Sequence, residues 1–184
     1  MKRNNFVIAF ITIIILILVF FTFYNGFNGK TNEANMKLKS SAFANGGEIP
    51  SKYTCDGENI NPPLEISGVP KNAVSLILIV DDPDAIKPAG KVWDHWIVWN
   101  IAPDVKNIDE DSIPENAIQG LTSSNKNVYG GPCPPDGQHR YFFKLYALDT
   151  FLDIPDSSTK KEVLDFINIH ILEEAELIGV YERQ

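Results

Sequence analysis

Three short stretches set polar side chains into runs that are otherwise apolar. The first is "DDPDA", residues 81–85, where Asp82-Pro83-Asp84 carries two carboxylates on a stiff turn. The second is "WDHW", residues 93–96, where an imidazole sits among indoles. The third is "GGPCPPDGQHRY", residues 130–141, which ends in His139, Arg140 and Tyr141. Carboxylates orient an imidazole or accept from an ammonium or hydroxyl, while imidazoles and a phenol donate to an anion. Prolines fix φ and offer no N–H, so such a loop loses little entropy when it binds. Glycines let a backbone approach a ligand closely, which makes the Gly131 amide a further expected donor. Together these groups suit a small phosphate-like anion that also carries a cation or hydroxyls. Each stretch also has an ordinary structural reading: an Asp/Pro turn, a satisfied core His, and a tight loop before a core Tyr.

The elements that must position these groups are mostly strands. "VSLILIVDD" (74–82) is a Leu- and β-branched run bounded by turn residues and reads as a buried strand. "VWDHWIVWNI" (92–101) and "YFFKLYALD" (141–149) read the same way. Strict alternation puts Trp93, His95 and Ile97 on one face and Asp94, Trp96 and Val98 on the other. It also puts His139 and Tyr141 together and turns Arg140 away, toward a carboxylate. Thr159 and Glu162 have capping-box spacing, and Val163, Phe166, Ile167, His170 and Ile171 follow on one helical face. His170 on that apolar face is read as structural. A last strand, "AELIGVYER", follows. Dense Pro/Gly turns, dominant strands and one clear helix predict a mainly β, sandwich-like domain with a peripheral C-terminal helix.

The formal charge is −8. An acidic domain lacks the basic stripe that nucleic acid needs, and it does not suit adsorption onto an anionic surface. The N-terminus differs: "FVIAFITIIILILVFFTFY", residues 6–24, carries no charge and follows Lys2 and Arg3. At helical rise it reaches about 28 Å, one hydrocarbon core. The expectation is an N-terminal transmembrane helix over 1–24, a linker over 25–40 and the domain over 41–184. Flanking positive charge places the N-terminus in the cytoplasm and the domain outside the cell, anchored by a single pass. Secretion after signal cleavage is the alternative.

The motifs "DDPDA", "WDHWIVWNI" and "GPCPPDGQHRYFFKLYALD", in this order, resemble the phosphatidylethanolamine-binding protein family. The likeness is closest to its bacterial YbhB/YbcL Raf kinase inhibitor-like branch. "YTCDGENINPPLEISGVP" and "HILEEAELIGVYER" extend it to residues 40–183. The resemblance implies a large central β-sheet packed with a second sheet and peripheral helices. It implies a pocket for phosphate- or phosphoethanolamine-like groups, carried by Asp82, Asp84, Trp93, His95, Gly131, Pro132, His139 and Tyr141. Two departures stand out. Gly90 occupies the position where some eukaryotic members carry a Tyr, and no clear counterpart of their pocket-flanking C-terminal helix is expected in these residues.

Cys55 and Cys133 both fall in loops. Outside the cytoplasm such a pair reads as a disulfide that pins the pocket loop. Two free thiols, or a metal site with a His, are the rivals; the metal reading lacks any ligand spacing.

The expected function is a non-catalytic binding protein for a phosphate-like anion or phospholipid headgroup, with a protein partner as a further target. An interaction or protease-inhibitor protein with an unused pocket is the alternative. A small hydrolase ranks below both, because no G-x-S-x-G elbow occurs and no Ser lies within the three motifs. No cofactor and no metal are expected.

Overall fold

Residues 36–183 are described by the structure, a computed structural model. They form strands β1 (Lys37–Lys39), β2 (Gly47–Glu48), β3 (Leu64–Ser67), β4 (Ser75–Asp82), β5 (Trp93–Ile101), β6 (Asn107–Ile108), β7 (Ile118–Gln119), β8 (Gln138–Leu148) and β9 (Ile171–Glu182). Helix α1 (Ile86–Ala89) follows β4, and α2 (Lys160–Ile167) lies between β8 and β9. The large sheet has the order β2-β9-β8-β4-β5-β7, and the small one β1-β3-β6.

All eight positions of β4 are buried, as its unbroken apolar run predicts for a strand covered on both faces. On one face Leu76, Leu78 and Val80 pack with Val98, Phe143 and Leu145 against Leu38, Leu64, Ile66 and Ile108 of the small sheet. On the other, Ile77, Ile79, Ile97 and Trp99 pack against Val163 and Ile167 of α2 and against Leu152. The capping box at Thr159 and Glu162 is closed in both directions. The helix is shorter than its apolar pattern suggests. His170 N–H turns back to Ile167 O at 2.8 Å, and Ile171 already begins β9, opposite Leu148. His170 Nδ1 lies 2.7 Å from Asp149 Oδ1.

Two expectations about the N-terminal part change. The expected linker reaches residue 40, yet Lys37–Lys39 is already a strand, antiparallel to β3. The expected transmembrane helix is corrected as well. Among the described residues no helix is long and apolar enough to cross a membrane. Their two α-helices have 4 and 8 residues, against the roughly 20 that a span requires. The membrane-anchored, single-pass placement falls with it. The segment 6–24 on which it rested lies outside the described residues.

Candidate functional site

The three central strands β5, β4 and β8 are neighbours, so Trp93/His95, Asp82 and His139 are brought to one end of the large sheet by backbone pairing alone. Two loops, residues 53–59 and 129–135, close over that end. Tyr129 Oη–H donates to Tyr53 O at 3.0 Å, Gly131 N–H to Asn59 Oδ1 at 2.8 Å, and Cys55 N–H to Pro132 O at 3.0 Å. Cys55 and Cys133 are bonded, with Cα atoms 5.4 Å apart. The result is a pocket of about 470 Å³.

A β-bulge aims His95 into this pocket. Val80 pairs with Trp96 and Asp81 with Asp94, so β5 carries one extra residue, His95. A bulge sends two neighbouring side chains to the same side. His95 and Trp96 therefore both face the inner core, where His95 meets the Tyr141 ring edge-on at 5.2 Å and Trp96 meets Tyr129 at 5.5 Å. Asp94 goes to the opposite face and pairs with Lys160, which also holds Asp81. The strict alternation expected for this strand is thus corrected at one residue: Trp96 joins His95, and Ile97 does not.

Each imidazole is locked by one partner. His139 Nδ1 lies 2.7 Å from Asp82 Oδ2, and both side chains are buried. Asp82 Oδ1 accepts from the amides of Asp84 (2.8 Å) and Ala85 (3.1 Å), which fixes the carboxylate as well. His95 Nδ1 lies 2.6 Å from Gly130 O. A carbonyl only accepts, so Nδ1 carries the proton and Nε2 presents a lone pair. Burial pushes the His95 pKa below the usual imidazole range.

Five of the eight expected ligand-binding residues line the pocket: Asp82, Trp93, His95, Gly131 and His139. The other three support them. Asp84 faces outward and takes a two-pronged pair from Arg140, 2.9 Å from Nε and 2.8 Å from Nη2, which holds its carboxyl at about 2. Pro132 is buried behind the wall and gives its carbonyl to Cys55. Tyr141 is buried below His95; its Oη closes no hydrogen bond, although the Cys133 amide lies near enough to act on it. Burial raises this phenol far above its ordinary range.

The amide role expected of Gly131 is not free, because Asn59 occupies it. Glycine is required there for another reason. A Cβ would sit 2.4 Å from Tyr53 O and 2.8 Å from Thr54 Cα. Sequence reasoning missed Asn59, which holds the loop, and Gly130, whose carbonyl sets the His95 tautomer. Asn59 carried a faint signal as a turn residue in "GENIN", and it has a positive φ of 59°. It also missed the apolar rim formed by Pro88, Ala89 and Val128.

The site is thus a pocket at the end of the large β-sheet, with two fixed imidazoles in its lining. The pattern of the phosphatidylethanolamine-binding protein family matches residues 39–182. A UPF0098 protein of Methanothermobacter thermautotrophicus is 52% identical over 153 residues, 80% of this chain and 99% of the relative. A phosphatidylethanolamine-binding protein homolog of Chlamydia trachomatis superposes with a TM-score of 0.77 at 44% identity, covering 83% of this chain and all of its own. Escherichia coli YbcL gives 0.76 at 32% identity, covering 82% of this chain and all of its own. The chain belongs to the phosphatidylethanolamine-binding protein family, in the YbhB/YbcL branch.

Proposed function

We propose that the chain is a non-catalytic binding protein whose pocket takes a phosphate-like group bearing a short cationic or hydroxylated arm, as in a phosphoethanolamine headgroup. The observation that carries this reading is the pair of buried imidazoles, each fixed at Nδ1 by Asp82 or by Gly130 O, which leaves both Nε2 atoms for a ligand. The volume of about 470 Å³ falls within the roughly 300–1,000 Å³ of small-molecule sites. It is more than a bare phosphate fills, which favours an ester over the free anion. Ser124 lines the pocket, but its hydroxyl bonds with Thr122 rather than with an imidazole, so it is not set up as an activated nucleophile.

The chemistry has a proton requirement. His95 Nε2 is a bare acceptor at neutral pH, so a phosphate oxygen can meet it only by bringing a proton or by protonating the ring. A phosphomonoester carries that proton below about pH 6. Binding therefore takes up a proton, and affinity falls as pH rises above that range.

The test is a titration of the purified chain with phosphoethanolamine at pH 5.5 and 7.5, following the imidazole resonances of His95 and His139. Both should shift and saturate, more tightly at the lower pH, and Asp82→Ala should abolish the effect. If neither resonance moves up to millimolar ligand, small-molecule binding is excluded and a protein partner becomes the object of search.

A further inference from the structure

We infer that Asp136 is a specificity-determining residue: a tethered carboxylate that competes with simple anions for His139 and favours ligands carrying their own ammonium. This rests on the pocket reading above and names what the pocket selects.

Asp82 takes Nδ1 of His139, so Nε2 is the ring nitrogen left for a ligand. Asp136 Oδ1 already lies 3.5 Å from that Nε2. The distance exceeds that of a full hydrogen bond, so the contact is weak and open to replacement. The Asp136 side chain is 69% exposed and the His139 side chain 6%. Among the described residues Asp136 makes no other hydrogen bond or ion pair. It hangs between Pro135 and Gly137, which has a positive φ of 57°.

A carboxylate 3.5 Å from Nε2 competes with an anion oxygen for that nitrogen. Tethered three residues from its target, it acts at an effective concentration on the order of millimolar. Inorganic phosphate must displace it and then bear its repulsion. A zwitterion does not meet the same penalty, because its ammonium turns the displaced carboxylate into a partner. Asp136 thus lowers the affinity for bare anions and preserves that for zwitterionic phosphoesters.

The experiment compares the full-length chain with its Asp136→Asn and Asp136→Glu variants. Without ligand, the His139 imidazole resonance should shift in Asp136→Asn and stay close to wild type in Asp136→Glu. Calorimetric titration with inorganic phosphate and with phosphoethanolamine follows. Asp136→Asn should bind phosphate about three- to tenfold more tightly, the scale of one partly screened charge. Its affinity for phosphoethanolamine should stay level or fall, so the ratio between the two ligands shrinks. Asp136→Glu should restore the ratio.

If wild type binds both ligands and Asp136→Asn leaves their ratio unchanged, the inference is overturned while the pocket reading stands. If no chain binds either ligand, the pocket reading fails and this inference with it. If wild type ignores phosphate but Asp136→Asn takes it up, the carboxylate is the barrier described.

Discussion

Replacing Asp82 tests whether the site is held by this one carboxylate. Its two oxygens accept three hydrogen bonds, from His139 Nδ1 and from the amides of Asp84 and Ala85. Asp82 is 3% exposed and His139 5%, so bulk water does not readily replace it. Asp82→Ala strands all three donors, and each bond to a charged group counts for about 1.5–3 kcal/mol. The losses are not additive, since the amides sit at a strand end beside the pocket and gain water once the side chain is gone. A loss of about 4 kcal/mol is expected. Asp82→Asn still accepts both amides but turns an N–H toward His139 Nδ1. The ring must then move its proton to Nε2, and the loss should be about 1–2 kcal/mol. Urea unfolding with the disulfide intact measures both, with Trp93 and Trp96 as nearby fluorescent reporters. For a slope of about 2 kcal/mol/M, the midpoint should drop by about 2 M for Ala and under 1 M for Asn. Equal midpoints for the two variants, or a loss under about 1 kcal/mol for Asp82→Ala, would refute the reasoning.

Three further outcomes are expected. The Arg140 pair depresses the Asp84 pKa, so its contribution is complete above about pH 4 and is lost as pH falls toward about 2. Arg140→Gln should therefore lower the urea midpoint modestly at pH 7, the pair being exposed, and by clearly less at pH 2, where Asp84 is partly protonated. Gly131→Ala should destabilise by about 2–3 kcal/mol, because the new methyl meets backbone atoms of Tyr53 and Thr54 that cannot swing aside; a thermal melt checks it. Reducing the Cys55–Cys133 bond, which joins residues 78 apart, should lower the unfolding free energy by about 4 kcal/mol, and a denaturant midpoint unchanged by a thiol reductant would contradict this.

Much of the fold could be read from residue pattern. The apolar run of β4 announced a strand covered on both sides, and Thr159 with Glu162 marked where α2 begins. The motifs around Asp82, His95 and His139 were visible because each sets a polar group where an apolar one would pack better. What stayed hidden depends on partners rather than on local sequence. The bulge at His95 arises from the register of β5 against β4, and "WDHWIV" alone does not report which residue is extra. The Gly130 carbonyl that fixes the His95 tautomer carries no side-chain signal at all. The outward turn of Asp84 follows from its pairing with Arg140, 56 residues away. The end of α2 was overrun because Phe166, His170 and Ile171 continued the apolar spacing beyond a turn that β9 pairing imposes.

The bond between Cys55 and Cys133 also has a topological meaning. It turns the stretch between them into a covalent ring that contains β3 to β7 and α1, with β8, β9 and α2 outside it. The long exposed connections after β6 and β7, around Glu110–Glu115 and Ser124–Asn127, lie on that ring. A protease that cuts there linearises the ring without dividing the molecule. The nicked protein would run as one band until a reductant is added and as two afterwards. A cut in the segment Asp149–Ser157, off the ring, would divide it under either condition.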